Sequence, residues 1–459
     1  MIAFFGKLWR NRRGNALAIA AACLPLFVGA AGLATDTIQW TLWKRQLQRA
    51  ADSAAIAGVY DRVAKSGATT NTDATVTHDL GLNLHSYYAL TDGNSFCSGK
   101  CEIGTPADTP FQKDQVRVTI AIQQRLAFSS MFMSSPPTIT ATSTAAAVPV
   151  GGDACFHATS KSSKDTGIAI SGNAGIEAPD CVMYANPSSA NSAYAKGSSY
   201  VEVEAVAAVG GIQQSNNWHV QAYRPYSPAL DDPFAKIDPS PSDMNCATKT
   251  VVQGGKNVTT EVALDESTDL SAYAGKNCFS GLSVSSSFTG TLDLTNFASK
   301  LPGGTIYIDG GDADIQGNLK CTGCTIVLTN QDTSSTATIG QFKANASADI
   351  NLTAPAASCD CKFKGIAIYQ DRRAVDVSGK PNLINGNSGS QIVGALYFPN
   401  QELDYNGSGN TSAVCTKFVA YRLNFTGNST TTNKFKSNKD CGYLGWPGDD
   451  TAVMVRLVG

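Results

Sequence analysis

Residues 16–34 carry no charged side chain, and that run limits the fold more than any other feature. As a helix rising about 1.5 Å per residue it spans roughly 28 Å, close to the hydrocarbon thickness of a bilayer. Lys7, Arg10, Arg12 and Arg13 precede it and Asp36 follows. The positive-inside rule then keeps the basic end in the cytoplasm and sends the remainder out. Trp9, Trp40 and Trp43 fall where aromatic side chains meet the headgroups. A cleaved secretory signal would have a shorter apolar core, and here the helical pattern goes on. Trp40, Trp43, Leu47, Ala50, Ala54 and Ala57 recur at helical spacing, one seam of a helix reaching to about Ala64. The expectation is an uncleaved anchor whose seam narrows from Trp to Ala and receives another helix.

An exported chain can hold disulfides. Of 13 cysteines, Cys23 lies in the apolar run and twelve lie beyond it. They fall as neighbours: Cys97/Cys101, Cys155/Cys181, Cys246/Cys278, Cys321/Cys324, Cys359/Cys361 and Cys415/Cys441. An even set downstream of a membrane segment predicts disulfides in an oxidising compartment, though sequence leaves the connectivity open. Cys359 and Cys361 are so close in sequence that either could pair elsewhere. The rival is zinc held by Cys321, Cys324, Cys359 and Cys361. The short second spacing and the compartment weigh against it, so no metal or cofactor is expected.

The stretch Arg13-Gly14-Asn15-Ala16, the apolar run, Asp36, and then Leu47-Gln48-Arg49-Ala50-Ala51-Asp52-Ser53-Ala54-Ala55-Ile56-Ala57-Gly58 resembles the N-terminal module of TadG-like pilus-assembly proteins. These belong to the bacterial tight-adherence (Flp pilus) systems. The resemblance covers about the first 60 residues. It implies a single-pass inner-membrane protein of the bacterial cell envelope, with its C-terminal domain periplasmic or extracellular and other pilus-assembly proteins as partners. Two departures narrow it. Pseudopilin relatives carry Glu five residues after the cleavage Gly, whereas Ile19 stands there after Gly14, so prepilin-peptidase processing is not expected. Many TadG-like chains also carry a von Willebrand A domain with an Asp-x-Ser-x-Ser metal site. The strings at Asp265 and Asp332 do not match it, and no metal-dependent adhesion site is carried over.

Beyond the anchor (residues 1–64), residues 65–150 predict a small α+β unit above the membrane. It has a helix around 73–88, strands at 116–122 and 138–148, and a helical turn at 126–133. From residue 151 to 459 the texture is mainly β. Short alternating runs at 167–171, 201–209, 305–308, 324–328, 365–369, 392–398 and 418–425 lie between Gly-Asn and Asn-Gly turns. Such strands fit a solenoid in which each coil adds a strand to the last, with a β-sandwich as the other possibility. At about 25 residues per coil the rod would have about a dozen coils. The pieces at 167–173, 232–235, 303–311, 365–371 and 386–399 resemble the right-handed parallel β-helix domain of some TadG-related proteins. The Pro-rich stretch 223–241 is expected to leave the solenoid as a loop or to divide it.

With 35 basic against 37 acidic side chains, no electrostatic nucleic-acid binder is indicated. Parallel β-helices also serve as polysaccharide lyases and hydrolases. Asp371-Arg372-Arg373 could polarise an acidic sugar, and Asp309, Asp312 and Asp314 could hold calcium or supply acid and base. Charges at strand ends are more often solvated turns. His78, His85, His157 and His219 form no recognisable ligand set. There is no nucleophile elbow, phosphate loop or zinc-protease motif. The Asn-x-Ser/Thr sequons at Asn257, Asn351 and Asn424 are expected by chance in so Asn- and Thr-rich a chain. The reading is a non-enzymatic envelope scaffold. A carbohydrate-active enzyme, or an adhesin binding surface glycans through Tyr369, Tyr397 and Tyr421, stands as the alternative.

Overall fold

The computed structural model describes residues 12–65, 71–84, 91–92, 95–96, 101–109, 111–254, 256–377, 379–385, 390–406, 415–427, 432–434, 441–446 and 451–459. The fold is mainly β, with one long apolar helix and a large parallel sheet. Two compact units divide the chain: Met1–Val148 with Val455–Gly459, and Pro149–Met454.

The first unit is organised by helix α1, Arg12–Ala64, which contains Pro25. The segment from Ile19 onward is long and apolar enough to cross a membrane. Ile19, Leu24, Leu26, Phe27, Val28 and Leu33 are exposed on it, as suits side chains that face lipid. The hydroxyls of Thr35 and Thr37 donate to the carbonyls four residues back, both at 2.8 Å. Past Asp36 the helix packs on α2, Thr72–Asn83, and on the strand Lys113–Gln123. That strand pairs antiparallel with Cys101–Gly104 on one side and Thr138–Ala158 on the other. Its alternate residues Val116, Val118, Ile120 and Ile122 are buried, as period-2 patterning requires of a half-buried sheet. The chain end pairs here too, Val458 N–H donating to Thr144 O at 2.8 Å. The helix expected at 73–88 runs Thr72–Asn83, and residues 85–88 lie outside the described residues. The turn at 126–133 contains the 3-10 turn Ser129–Met131, and the second strand is longer.

The second unit is built from parallel ladders. In the first ladder the strands follow one another as Cys278–Phe279, Thr305–Asp309, Thr325–Thr329, Ile366–Gln370, Gln391–Tyr405 and Thr416–Phe425. It continues through residues 156–158, then Gly175–Ala185, Tyr200–Ala208 and Trp218–Arg224. Ten strands at about 4.8 Å make a stack of roughly 43 Å. A second ladder runs in the same order from Ala263–Leu264 through Asn382–Ile384 to Ile212–Gln213. A third is made of Thr291–Asp293, Asn318–Thr322, Ile350–Thr353 and residues 391–393. Between the ladders one apolar core includes Ile168, Ile306, Ile326, Ile368, Leu396 and Phe418. Phe156 stacks on Phe418 at 5.2 Å, joining early and late strands. Glycine sits where strands turn: Gly172 has φ +67°, and a Cβ there would lie 2.9 Å from Gly427 O. Only a residue without a side chain keeps both the left-handed turn and the close approach of the two backbones.

One expectation is corrected. Neighbouring strands do not simply follow one another along the chain, because residues 416–425 lie beside residues 156–158 and 168–170. The chain winds from residue 153 to Arg224, then restarts at the opposite end of the stack near Ala263. Residues 226–246, which include most of the Pro-rich stretch 223–241, make that return between two runs of winding, and they lie against the outer face of the first ladder.

Candidate functional site

The returning segment accounts for three of the residues that chemistry would have claimed, Tyr369, Tyr397 and Arg372. Leu230 N–H donates to Asn186 Oδ1 at 2.9 Å, and Asn186 Nδ2 donates to Leu230 O at 2.8 Å. Phe234 inserts among Tyr307, Phe363, Tyr369 and Tyr397, meeting the Tyr397 ring edge-on at 5.3 Å. Tyr397 donates to Asp232 Oδ2 at 2.6 Å, and Tyr369 donates to Ile237 O at 2.5 Å. Further along, Lys362 Nζ donates to Asp243 Oδ2 at 2.6 Å. Cys246 closes the segment on Cys278. Burial raises the pKa of both Tyr369 and Tyr397, so these hydroxyls stay protonated donors.

Tyr369 and Tyr397 are therefore not an exposed row for sugar. They are buried, stacked 4.9 Å apart, and they lie in a cluster under the segment, apart from the core between the ladders. Tyr421 is half-buried, with Arg422 over its ring.

The Asp371-Arg372-Arg373 group is turned inward on the chain. Arg372 Nε donates to Tyr397 Oη at 2.9 Å, and its other nitrogens reach Asp238 and the Phe234 carbonyl. Arg373 forks onto Asp371, with Nη2 to Oδ2 at 2.8 Å, and also holds Asn330 O at 2.8 Å. Thr329 donates to the same Asp371 Oδ2 at 2.7 Å. Burial alone would raise the Asp371 pKa, but the Arg373 and Thr329 bonds outweigh it and hold the carboxyl below its ordinary value. Both guanidiniums tie chain to chain.

The three aspartates of the next cluster diverge. Asp309 accepts from Gln331 N–H at 2.8 Å, Asp312 from Gln341 N–H at 2.8 Å and Lys343 Nζ at 2.9 Å, and Asp314 from Gln316 Nε2 at 3.0 Å. Among the described residues one group has ligand-like spacing, Cys246, Glu261, Cys278 and Asp309. Its two sulfurs are bonded to each other, which removes the thiolates a soft metal needs.

Sulfurs are joined in Cys155–Cys181, Cys246–Cys278, Cys321–Cys324, Cys359–Cys361 and Cys415–Cys441. Cys97 lies outside the described residues, as does His85. Cys23 is the free thiol among those described. His157 is buried with Nε2 3.0 Å from Asn186 Nδ2. Burial first, and Lys417 second, push its pKa down to about 3. His78 and His219 are exposed, and neither belongs to the one ligand-spaced group among the described residues.

A groove of about 950 Å³ opens on the outer side of the second ladder, lined by Asp312, Lys343, Arg373, Val375, Lys380 and Asp404 among others. Several of its charges are already engaged: Asp312 with Lys343, Arg373 with Asp371, and Asp404 with Asn424 Nδ2 at 2.9 Å.

The helical seam is occupied by the chain itself. Trp43, Leu47, Ala50 and Ala54 are buried, while Trp40 and Ala57 are half-buried. At Gly58 a Cβ would lie 2.9 Å from both Val116 and Val76, so α2 and the strand Lys113–Gln123 fill the hole the small residues leave. Gln48 Nε2 donates to Thr142 O at 2.9 Å, and Ser53 Oγ to Asp79 Oδ2 at 3.3 Å. The opposite face of α1 stays open, with Ile38, Leu42, Arg45, Arg49 and Tyr60 exposed at helical spacing. Sequence periodicity identified a packing face without saying that its partner lies in the same chain. It gave no signal for the contact of Asp36 with Ser129 N–H at 2.5 Å.

Among known proteins, the family described as "putative Flp pilus-assembly TadE/G-like" matches residues 14–64. No curated protein and no solved structure matches the chain.

Proposed function

We propose that this chain, a pilus-related membrane protein whose residues 14–64 are a TadE/G-like module, is a non-enzymatic scaffold of Flp pilus assembly at the bacterial inner membrane. In this reading its N-terminus is cytoplasmic and its two folded units lie outside. The observation that carries it is the coincidence of the matched segment with one continuous helix, Arg12–Ala64. The first half of that helix has exposed apolar side chains, and its second half packs within a folded unit.

The ladders of the second unit read as coils of a right-handed parallel β-helix, a stiff body that presents long faces for repeated weak contacts. Internal use of Arg372, Arg373 and Asp371 favours a scaffold over a carbohydrate-active enzyme. Since the seam packs on α2, pilus-assembly partners would meet the open face of α1 at Ile38, Leu42, Arg45 and Arg49.

The test is co-purification of the C-terminally tagged chain from gently solubilised native membranes. Other pilus-assembly components should be recovered, and lost with Leu42→Glu combined with Arg49→Glu. Recovery of the intact protein without any such component would overturn the reading.

A further inference from the structure

The turn before Thr138 is fastened to the anchor at a particular height. The Phe128 ring lies against Gly32, where even a Cβ would fall 2.2–2.6 Å from ring carbons. One helical turn later, buried Asp36 accepts the Ser129 N–H at 2.5 Å. The uncharged run 16–34 rises about 28 Å, so Asp36 stands about 3 Å beyond the outer edge of the hydrocarbon and Gly32 about 3 Å inside it.

Residues fixed at that height cannot all face water. Yet Met131 and Phe132 are 76% and 72% exposed to solvent and Met133 is 43% exposed. From residue 126 to 137 the segment holds no charge. Arg125, at its entry, donates to Ser134 O at 3.4 Å, and its stem can carry the guanidinium toward phosphates. Three adjacent large apolar side chains on a turn would be costly to leave in water.

We infer that the Phe128–Met133 turn dips into the outer leaflet, with Met131, Phe132 and Met133 covered by lipid acyl chains. The contact at Gly32 makes lipid the occupant. A protein ligand approaching from the aqueous side would have to enter the bilayer to reach these side chains. The chain thus holds the membrane at two places, the spanning helix and this turn. That fixes the rotation of α1 and the tilt of its folded unit, which a single helix leaves free. This inference needs only the membrane anchor and does not depend on the pilus assignment.

The experiment places a nitroxide at Phe132→Cys in the full-length Cys23→Ala protein, oxidised and reconstituted in phospholipid nanodiscs. Its collision rates with oxygen and with a water-soluble nickel chelate are then measured. A label at Leu82→Cys serves as the aqueous reference. Leu82 is 73% exposed on α2, beside the Ser53 level of α1, about 26 Å beyond Asp36. The chelate rate at 132 should be severalfold below that at 82, with the oxygen rate severalfold above. Equal chelate rates at the two sites would overturn the inference. Protection of 132 from both reagents would also overturn it, and would mean that protein covers the turn.

Discussion

The Tyr369 hydroxyl donates to the Ile237 carbonyl at 2.5 Å, although 132 positions separate them in the chain. The bond joins a strand inside the stack to the segment that carries the chain back along it. Tyr397 with Asp232, Arg372 with Phe234, and Lys362 with Asp243 repeat the arrangement on neighbouring residues. The outward face of the first ladder is thereby a second apolar layer, with Tyr307, Tyr369, Tyr397 and Phe363 buried beneath Phe234.

Arg372 holds this layer by a planar fork, which a lysine cannot reproduce. Arg372→Ala should lower stability by about 2–4 kcal/mol, because Asp232, Asp238 and the Tyr397 hydroxyl lose a partner at once. Arg372→Lys should recover only part of that. Urea denaturation reads the loss directly, and limited proteolysis should show new cleavage between residues 226 and 246. An unchanged midpoint would mean the segment is held without it.

Cys246–Cys278 spans 32 positions and Cys321–Cys324 only 3. In the chain-entropy account the first restrains the unfolded chain by roughly 3–4 kcal/mol and the second by less than about 2 kcal/mol. The Cys246→Ala, Cys278→Ala double variant should therefore melt well below the parent, measured by calorimetry under oxidising conditions. A loss no larger than about 1 kcal/mol would place the closure of the segment on its hydrogen bonds alone.

His157 gives an acid limb with a definite sign. Its folded pKa of about 3 lies below the unfolded value of about 6.5. Above pH 6.5 both states are neutral there and the full stability is present. As pH falls from 6.5 toward 3 the unfolded chain takes up the proton and the folded chain does not, so stability declines. His157→Gln should flatten the denaturation midpoint over that interval, relative to the parent, whatever its effect at neutral pH.

Two faces of α1 should answer differently to substitution. Gly58→Leu drives a side chain into Val76 and Val116 and should destabilise the first unit by about 1–3 kcal/mol, seen as faster amide exchange in α2. Leu42→Glu, on the open face, should leave that exchange unchanged.

Much of the architecture was legible in the chain. An uncharged run long enough to span a bilayer has few alternatives, since the backbone must satisfy itself in lipid. The period of the seam located the buried face of α1, and short apolar runs located strands such as Thr305–Asp309 and Thr325–Thr329 but not Gly175–Ala185 or Trp218–Arg224. The candidate site was less legible. Asp371, Arg372 and Arg373 have the residue types of a ligand site, and sequence does not say whether a carboxylate meets a sugar or an adjacent guanidinium.

The sequence by itself determined that a membrane helix continues into a packed one, and that a β-rich body follows with turns where glycine is needed. Tertiary structure alone decided which strands are neighbours. Residues 416–425 lie beside residues 156–158, about 260 positions away, because residues 226–246 carry the chain back before winding resumes. Parallel strands of similar apolar pattern present nearly equivalent edges to one another. Their order is therefore set by the buried tyrosines and ion pairs that hold the returning segment, which are contacts between distant residues and leave no local periodic mark.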